Sequence, residues 1–145
     1  MSENGKAKSR MMKPDRWDLI ISLAVFLLCL LSVAISVSDY GLTWDESLYL
    51  DSALRLRTPL EEQGWQGWLH QLDLADKHPP LHKVGGWLMM ELLGRWTAEL
   101  NAARLWTGIQ FALSVMLVFL LARQRLPRLA SVFAALAWWT WPRAF

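Results

Sequence analysis

The residues of this 145-residue chain that could do chemistry lie after its first long apolar run and before its second. The first group is Asp45-Glu46, a pair of adjacent carboxylates, with Tyr49 three residues further on. Adjacent carboxylates can take a proton from a hydroxyl group, orient an acceptor or bind a divalent ion, so metal dependence stays open. The simpler interpretation is that Asp45 caps a following helix, with Glu46 in its first turn.

The second group is the segment Lys77-His78-Pro79-Pro80-Leu81-His82-Lys83. Its side chains that can bind an anion or donate a hydrogen bond are Lys77, His78, His82 and Lys83. The two prolines predict an extended backbone, which denies the histidines the shared helix face of a typical zinc pair. A zinc site that adds His70 and Asp73 is the alternative to a rigid turn leading into a surface helix.

The third candidate is Arg104, at the start of the second apolar run. A cation at such a boundary usually anchors a helix at the membrane surface. The more specific alternative is a contact with a lipid-linked phosphate or with a carboxylate of the preceding loop. The single cysteine, Cys29, lies inside the first run and predicts a helix-packing or lipid-facing residue.

Two uncharged runs determine the class of protein. Leu19 to Ser38 is 20 residues long and Leu105 to Ala122 is 18, and at about 1.5 Å per helical residue the first covers roughly the hydrocarbon thickness of a bilayer. These runs exclude a cytosolic globule, a disulfide-stapled secreted module and a disordered tail. The fold class predicted is an all-α membrane protein with two to three transmembrane helices. A cleaved signal peptide, ending near Ala34-Ile35-Ser36, is the competing interpretation of the first run.

Charge asymmetry orients the predicted spans. Five cations precede the first run and three lie in the connector 123–128, whereas 39–104 carries 10 acidic and 6 basic residues. Cation-rich segments stay in the cytoplasm. The predicted order is therefore a cytoplasmic basic tail (1–16), a first span (17–38), an outer loop (39–104), a second span (105–122), a cytoplasmic connector (123–128) and a short third segment (129–145). The net charge of +2 gives no reason to expect nucleic acid as a partner.

Within the outer loop, two stretches have helical patterns that suit the membrane surface, Glu46 to Arg57 and Val84 to Leu100. Pro59 is expected to end the first of them. The third segment has only 13 uncharged residues from Leu129 to Trp141, a length that fits either a short span or a re-entrant segment.

The order of these motifs resembles the N-terminal part of the protein O-mannosyltransferase-like family. These are C-type membrane glycosyltransferases related to the bacterial aminoarabinose and lipopolysaccharide-core sugar transferases. The resemblance covers residues 17–145 and depends on motifs that follow one another along the chain. They are Thr43-Trp44-Asp45-Glu46-Ser47-Leu48-Tyr49, then His78-Pro79-Pro80-Leu81-His82-Lys83, then Ala102-Ala103-Arg104-Leu105, and finally Trp141-Pro142-Arg143.

The resemblance implies an enzyme of the cell membrane that transfers a sugar from a polyprenyl-phosphate donor to a glycan, lipid or protein acceptor outside the cytoplasm. It implies that Asp45 is the general base or acceptor-orienting carboxylate, that Glu46 is its partner, and that the His78-Pro79-Pro80 turn shapes the floor of the site. The substrate-binding candidates are Tyr49, His78, His82, Lys83 and Arg104. His82 stands where mannosyltransferases often have glycine, which leaves the acceptor class open.

Family members have many more spans than this sequence contains. We therefore expect the chain to be a fragment of a larger multi-span fold and inactive by itself. The alternative from a different class is a small, non-enzymatic membrane protein that packs on partner helices through its alanine-rich third segment.

Overall fold

The computed structural model describes residues 13–39, 46–74 and 80–140, and every regular element in these ranges is a helix. The predicted all-helical class is therefore confirmed for the described part of the chain. The helices are α1 (Arg16–Ser36), α2 (Glu46–Leu54), α3 (Arg57–Leu74), α4 (Pro80–Leu93), α5 (Glu99–Arg123) and α6 (Arg128–Trp139). The chain divides into two compact units, one containing residues 13–29 and 111–140 and the other residues 30–110.

Helix α1 begins with a reciprocal capping arrangement. The carboxylate Oδ1 of Asp15 accepts hydrogen bonds from the backbone N–H groups of Trp17 (2.8 Å) and Asp18 (3.0 Å). In return, Oδ2 of Asp18 accepts a hydrogen bond from the backbone N–H of Asp15 at 3.1 Å. These contacts satisfy N–H groups that have no partner inside the helix, and they fix its start at Arg16.

The buried residues of α1 lie on one face, and they are mostly small or polar. Asp18, Ser22, Val25 and Cys29 recur at intervals of three or four residues, which is the period of one helix face. Cys29 is fully buried, so it is the helix-packing residue of the two predicted alternatives. The large apolar side chains lie on the other faces and are more than half exposed: Leu19, Ile20, Leu23, Leu27, Leu28, Leu31 and Ile35.

Both α1 and α5 are long and apolar enough to cross a membrane. Only 17% of the apolar window of α1 and 28% of that of α5 is buried within the protein, whereas the core helix of a soluble protein is mostly buried. Helix α6 is apolar but only 12 residues long, shorter than the roughly 20 residues that a helix needs to span a bilayer.

The helices of the first unit pack through buried side chains, most of them small, and through one tryptophan hydrogen bond. Ala112, Val115 and Phe119 of α5 are fully buried, as are Ser131 and Ala135 of α6. The indole Nε1 of Trp138 donates a hydrogen bond to Oγ of Ser114 at 2.9 Å. Small residues at buried positions allow helix backbones to approach closely, which is the usual way that helices pack within a bilayer.

The prediction of a helix from Glu46 to Arg57 is confirmed for its packing face but not for its end. Ala53 and Leu56 are 1% and 0% exposed, as the apolar pattern predicted. Pro59 does not end a helix, because it lies in the first turn of α3, where the proline nitrogen needs no hydrogen-bond partner. Helix α3 continues through the polar stretch that the sequence left without a helix, and it is kinked at Gly64 (φ 66°, ψ −157°).

Two expectations around α4 are wrong. Pro80 was expected to be extended, but it is the first residue of α4, a position where its fixed φ suits a helix. The predicted single helix from Val84 to Leu100 is two helices. The backbone N–H of Gly94 donates to the carbonyl of Met90 at 2.8 Å as α4 ends, and α5 begins at Glu99.

The second unit has a small core to which α2, α4 and α5 all contribute. Its fully buried members are Ala53, Met90 and Ala102. Partly buried apolar residues pack around them: Leu50, Leu54, Trp87, Leu93 and Ala103. This core joins α2 to α4, and these are the two helices that carry most of the predicted site residues.

Adjacent glycines in α4 offer a matched pair of substitutions. A Cβ atom on Gly85 would collide with Cε2 of Trp106, whereas one on Gly86 would lie 3.6 Å from Cβ of Ala53. We expect Gly85→Ala to destabilise the protein by about 1–3 kcal/mol, because the indole ring must move. Gly86→Ala should be neutral or stabilising by about 0.5–1 kcal/mol, because alanine favours the helix. Thermal unfolding in detergent measures both, and equal effects would contradict the close approach of Trp106 to α4.

Candidate functional site

The carboxylate pair lies at the start of α2. Helix α2 begins at Glu46, so Asp45 directly precedes it in the sequence, and Tyr49 is in its first turn. Asp45 lies outside the described residues, as do the side chains of Glu46 and Tyr49. The capping and catalytic interpretations of Asp45 therefore both stay predictions.

Two members of the second group, His82 and Lys83, lie in the first turn of α4, and the other two, Lys77 and His78, lie outside the described residues. His82 is partly exposed, whereas Lys83 is 1% exposed. Gly86 and Met90 follow Lys83 at intervals of three and four residues and are also buried, so Lys83 lies on the packed face of α4. Lys83 is therefore an interior residue in this unit, whereas the sequence predicted a rigid turn that leads into a surface helix.

Packing between α2 and α4 brings the two predicted groups onto neighbouring elements. Ala53 of α2 and Met90 of α4 share the core described above, and Gly86 of α4 faces the Cβ atoms of Ala53 and Ala103. The contact therefore joins the helix that opens with Glu46 to the helix that carries His82 and Lys83. Among the described residues, the packing of α2 against α4 is the contact that links the first and second groups of predicted site residues.

Arg104 of α5 contacts the end of α1. Its Nη1 donates a hydrogen bond of 3.0 Å to the backbone carbonyl of Val37, the residue that follows α1. Carbonyl groups at a helix C-terminus lack partners within the helix and carry partial negative charge, so a guanidinium there is favourable. The sequence did not predict this contact, because it joins residues 67 positions apart. A further contact with a donor phosphate stays a prediction.

Replacing this guanidinium tests the role of Arg104 in the fold. We expect Arg104→Gln to lower the free energy of unfolding by about 1–2 kcal/mol, because a charged donor is lost from the α1 C-terminus. The matched control is Arg95→Gln, since Arg95 is exposed and precedes the same helix. Denaturant titration of helicity in detergent compares the two, and equal stability of both variants would contradict the cap.

A tryptophan cluster joins α3 to α4. The rings of Trp68 and Trp87 lie 5.7 Å apart between centroids, and Trp65 meets Trp68 edge-on at 5.4 Å. Edge-on and tilted aromatic pairs are favourable beyond their buried area. The cluster attaches the part of α3 after its kink to the helix that carries His82 and Lys83.

The described part of the chain also contains a group of ion-paired side chains that the sequence did not predict. Oδ1 of Asp18, a fully buried residue, accepts hydrogen bonds from Nε of Arg123 (2.9 Å) and Nε of Arg128 (2.8 Å). Nη2 of Arg128 also pairs with Oδ2 of Asp15 at 2.8 Å, and Nη1 of Arg123 bonds the carbonyl of Leu126 at 3.1 Å. We call Asp15, Asp18, Arg123 and Arg128 the ionic cluster.

Within the ionic cluster, neighbouring groups shift the pKa of Asp15. Its pKa lies below the ordinary value, chiefly because the backbone N–H of Asp18 donates to the carboxylate and also because Arg128 is close. A lowered pKa means that the folded state favours the charged carboxylate. The stabilisation is thus present above the ordinary pKa of an aspartate and is lost as the pH falls through the lowered value.

A sequence signal for this cluster was available. Asp15 and Asp18 are three residues apart directly before an apolar run, which is the spacing of a capping box. The charge pattern of 123–128 indicates only topological anchors, because the pairing with Asp18 joins residues 105 and 110 positions apart.

The described residues contain no group of three or more histidine, cysteine, aspartate or glutamate side chains that could hold a metal ion. His70 is exposed, and the other proposed zinc ligands include His78 and the side chain of Asp73, which lie outside the described residues. The zinc alternative and the divalent ion at Asp45-Glu46 therefore stay untested.

No protein-family model, curated protein or solved structure matches this chain. The resemblance to membrane glycosyltransferases therefore depends on the sequence motifs alone, and the function that it implies is a proposal.

Proposed function

We propose that the chain is the N-terminal part of an integral-membrane glycosyltransferase that uses a polyprenyl-phosphate sugar donor. In this proposal α1 and α5 cross the cell membrane, and the loop between them lies outside the cytoplasm. The single observation that carries the proposal furthest is the packing of α2 against α4. It joins the helix that follows Asp45 to the helix that carries His82 and Lys83.

Membrane insertion is supported by the distribution of side chains on the apolar helices. Large leucines and isoleucines of α1 point away from the protein, while Asp18, Ser22 and Cys29 are buried. Such an apolar surface is an aggregation hazard in water and is the expected lipid-facing surface in a bilayer. The hydroxyl of Ser22 donates to the carbonyl of Leu19 in α1, and that of Ser131 donates to the carbonyl of Pro127, the N-cap of α6, so neither needs water.

The ionic cluster favours the interpretation of α1 as an uncleaved membrane anchor over its interpretation as a cleaved signal peptide. Asp18 of α1 is fully buried and pairs with Arg123 and Arg128. Removal of α1 would leave two guanidinium groups without their common carboxylate, which is costly where they are shielded from water. A signal peptide has no need of such specific contacts with the mature protein.

The proposed reaction needs only two kinds of catalytic group from the protein. Polyprenyl phosphate is a good leaving group, so the reaction needs a base for the acceptor hydroxyl and cations for the developing phosphate charge. Asp45 is the proposed base, with Glu46 as its partner. Tyr49, His78, His82, Lys83 and Arg104 are the proposed substrate-binding residues.

The decisive experiment is a sugar-transfer assay in membranes. Cells that lack the gene are complemented with its full-length product, and transfer of radiolabelled sugar from polyprenyl-phosphate donors to the membrane fraction is measured. We expect donor-dependent transfer that is absent from the uncomplemented membranes. If no donor supports transfer while the protein is correctly inserted, the non-enzymatic membrane protein that packs on partner helices becomes the better explanation.

The topology is tested with reporters. We expect alkaline phosphatase fused near residue 60 to be active and the same enzyme fused near residue 125 to be inactive, because the enzyme needs an environment outside the cytoplasm. The expectation follows from the cation-rich ends of the spans. A cytoplasmic reporter such as green fluorescent protein should give the opposite pattern. Phosphatase activity at residue 125 only would reverse the orientation.

A further inference from the structure

The surface around the ionic cluster carries an excess of positive charge. Residues 13–18 and 123–128 belong to the same compact unit and hold five cations and two carboxylates, which leaves a net charge of +3. Both carboxylates are engaged in ion pairs, Asp18 with Arg123 and Arg128, and Asp15 with Arg128. The cluster of two arginines and two aspartates has no net formal charge, and the whole excess of +3 lies outside it.

The excess is carried by Lys13, Arg16 and Arg125. All three are exposed, and none of them forms an ion pair with another described residue. The guanidinium of Arg16 lies 5.8 Å from the ring centroid of Trp17, whose side chain is 54% exposed. Exposed cations beside an exposed indole, at the end of a long apolar helix, have the composition of a membrane–water interface.

We propose that Lys13, Arg16 and Arg125 bind the phosphate headgroups of anionic phospholipids. This inference rests on the proposed membrane insertion but not on the proposed enzymatic activity. The lipid-facing residues of α1 begin at Leu19, so Lys13 and Arg16 are at headgroup level when α1 spans the bilayer. Arg125 belongs to the turn whose flanking arginines contact Asp15 and Asp18, so the ionic cluster holds all three cations at one end of the unit.

The two sets of cations have different roles in this inference. Arg123 and Arg128 hold the turn against α1, and their charge is neutralised by the aspartates. The exposed set faces outward with its charge uncompensated. Each cation near an anionic membrane surface contributes about 1 kcal/mol, which is roughly fivefold in binding.

The test uses the full chain purified in detergent. Native mass spectrometry measures how much palmitoyl-oleoyl phosphatidylglycerol and phosphatidylcholine the protein retains from an equimolar mixture. We expect phosphatidylglycerol to be retained in excess, with the excess falling as salt rises to about 0.5 M, because exposed charges are screened. Equal retention of the two lipids would overturn the proposal.

Matched variants locate the binding surface. The double substitution Lys13→Gln and Arg125→Gln should reduce the preference for phosphatidylglycerol by about fivefold to twentyfold without touching an ion pair. The control, Arg55→Gln with Arg95→Gln, removes two exposed cations from the other unit, of which Arg55 pairs with the exposed Asp51, and should leave the preference unchanged. Equal losses in both variants would show non-specific charge attraction and overturn the assignment.

Two further measurements distinguish the possible reasons for a negative result. Millimolar glycerol phosphate should not displace the bound lipid, and displacement would identify a site for soluble phosphates instead. Flotation with pure phosphatidylcholine vesicles tests membrane insertion independently of lipid charge. Protein that floats but shows no preference for phosphatidylglycerol refutes this inference alone, whereas protein that does not float refutes the membrane placement as well.

Discussion

Asp45→Asn is expected to lower sugar transfer by about a hundredfold or more while leaving membrane insertion intact. A positioned general base typically contributes a factor of about 10²–10⁴, and an amide cannot accept the proton of the acceptor hydroxyl. The measurement is the initial rate of transfer from the polyprenyl-phosphate donor in membranes that contain equal amounts of wild-type or variant full-length protein.

The matched control is Asp51→Asn on α2, the helix that follows Asp45 in the sequence. Asp51 pairs with Arg55 at 2.8 Å, and both side chains are more than half exposed, so the pair contributes little to stability. We expect this variant to keep wild-type activity. If Asp45→Asn also keeps wild-type activity, Asp45 is a helix cap, and the proposed base must be sought elsewhere. If Asp45→Asn instead loses thermal stability together with activity, the helix cap explains both losses.

The elements that the sequence predicted best are those specified by local pattern. The apolar runs of 20 and 18 residues cover most of α1 and α5, because length and hydrophobicity are properties of contiguous residues. The helix boundaries between residues 39 and 104 were predicted less well. Pro59 and Pro80 were interpreted as helix breakers, although proline in a first turn begins a helix as readily as interior proline ends one.

Contacts between distant residues were not predicted. The hydrogen bond from Arg104 to Val37 and the pairs of Asp18 with Arg123 and Arg128 depend on how helices approach each other. A single sequence gives the charges but not their partners. The positive-inside rule counts Arg123 and Arg128 as free anchors. In the structure, both are engaged with a carboxylate that begins an apolar helix.

Asp18→Asn is expected to cause the largest loss of stability of any single substitution at a described polar residue. The change leaves Arg123 and Arg128 next to each other without their common anion, and breaking one partner of a buried ion pair typically costs about 3–5 kcal/mol. The Arg128 side chain is 39% exposed, so we expect about 3 kcal/mol rather than the upper value. Unfolding of the purified protein in mixed detergent micelles measures the loss.

Replacing Asp18, Arg123 and Arg128 together tests whether the unpaired arginines cause the loss of stability in Asp18→Asn. The triple variant Asp18→Asn, Arg123→Gln and Arg128→Gln leaves no unpaired charge at the buried position, and only the half-exposed Asp15 carboxylate loses its partner, so it should be more stable than Asp18→Asn alone. Asp51→Asn serves again as the exposed control, with an expected loss below about 0.5 kcal/mol. A triple variant that is less stable than Asp18→Asn would mean that each arginine stabilises the unit independently. The carboxylate would then not be the group that holds the turn of 124–127 to α1.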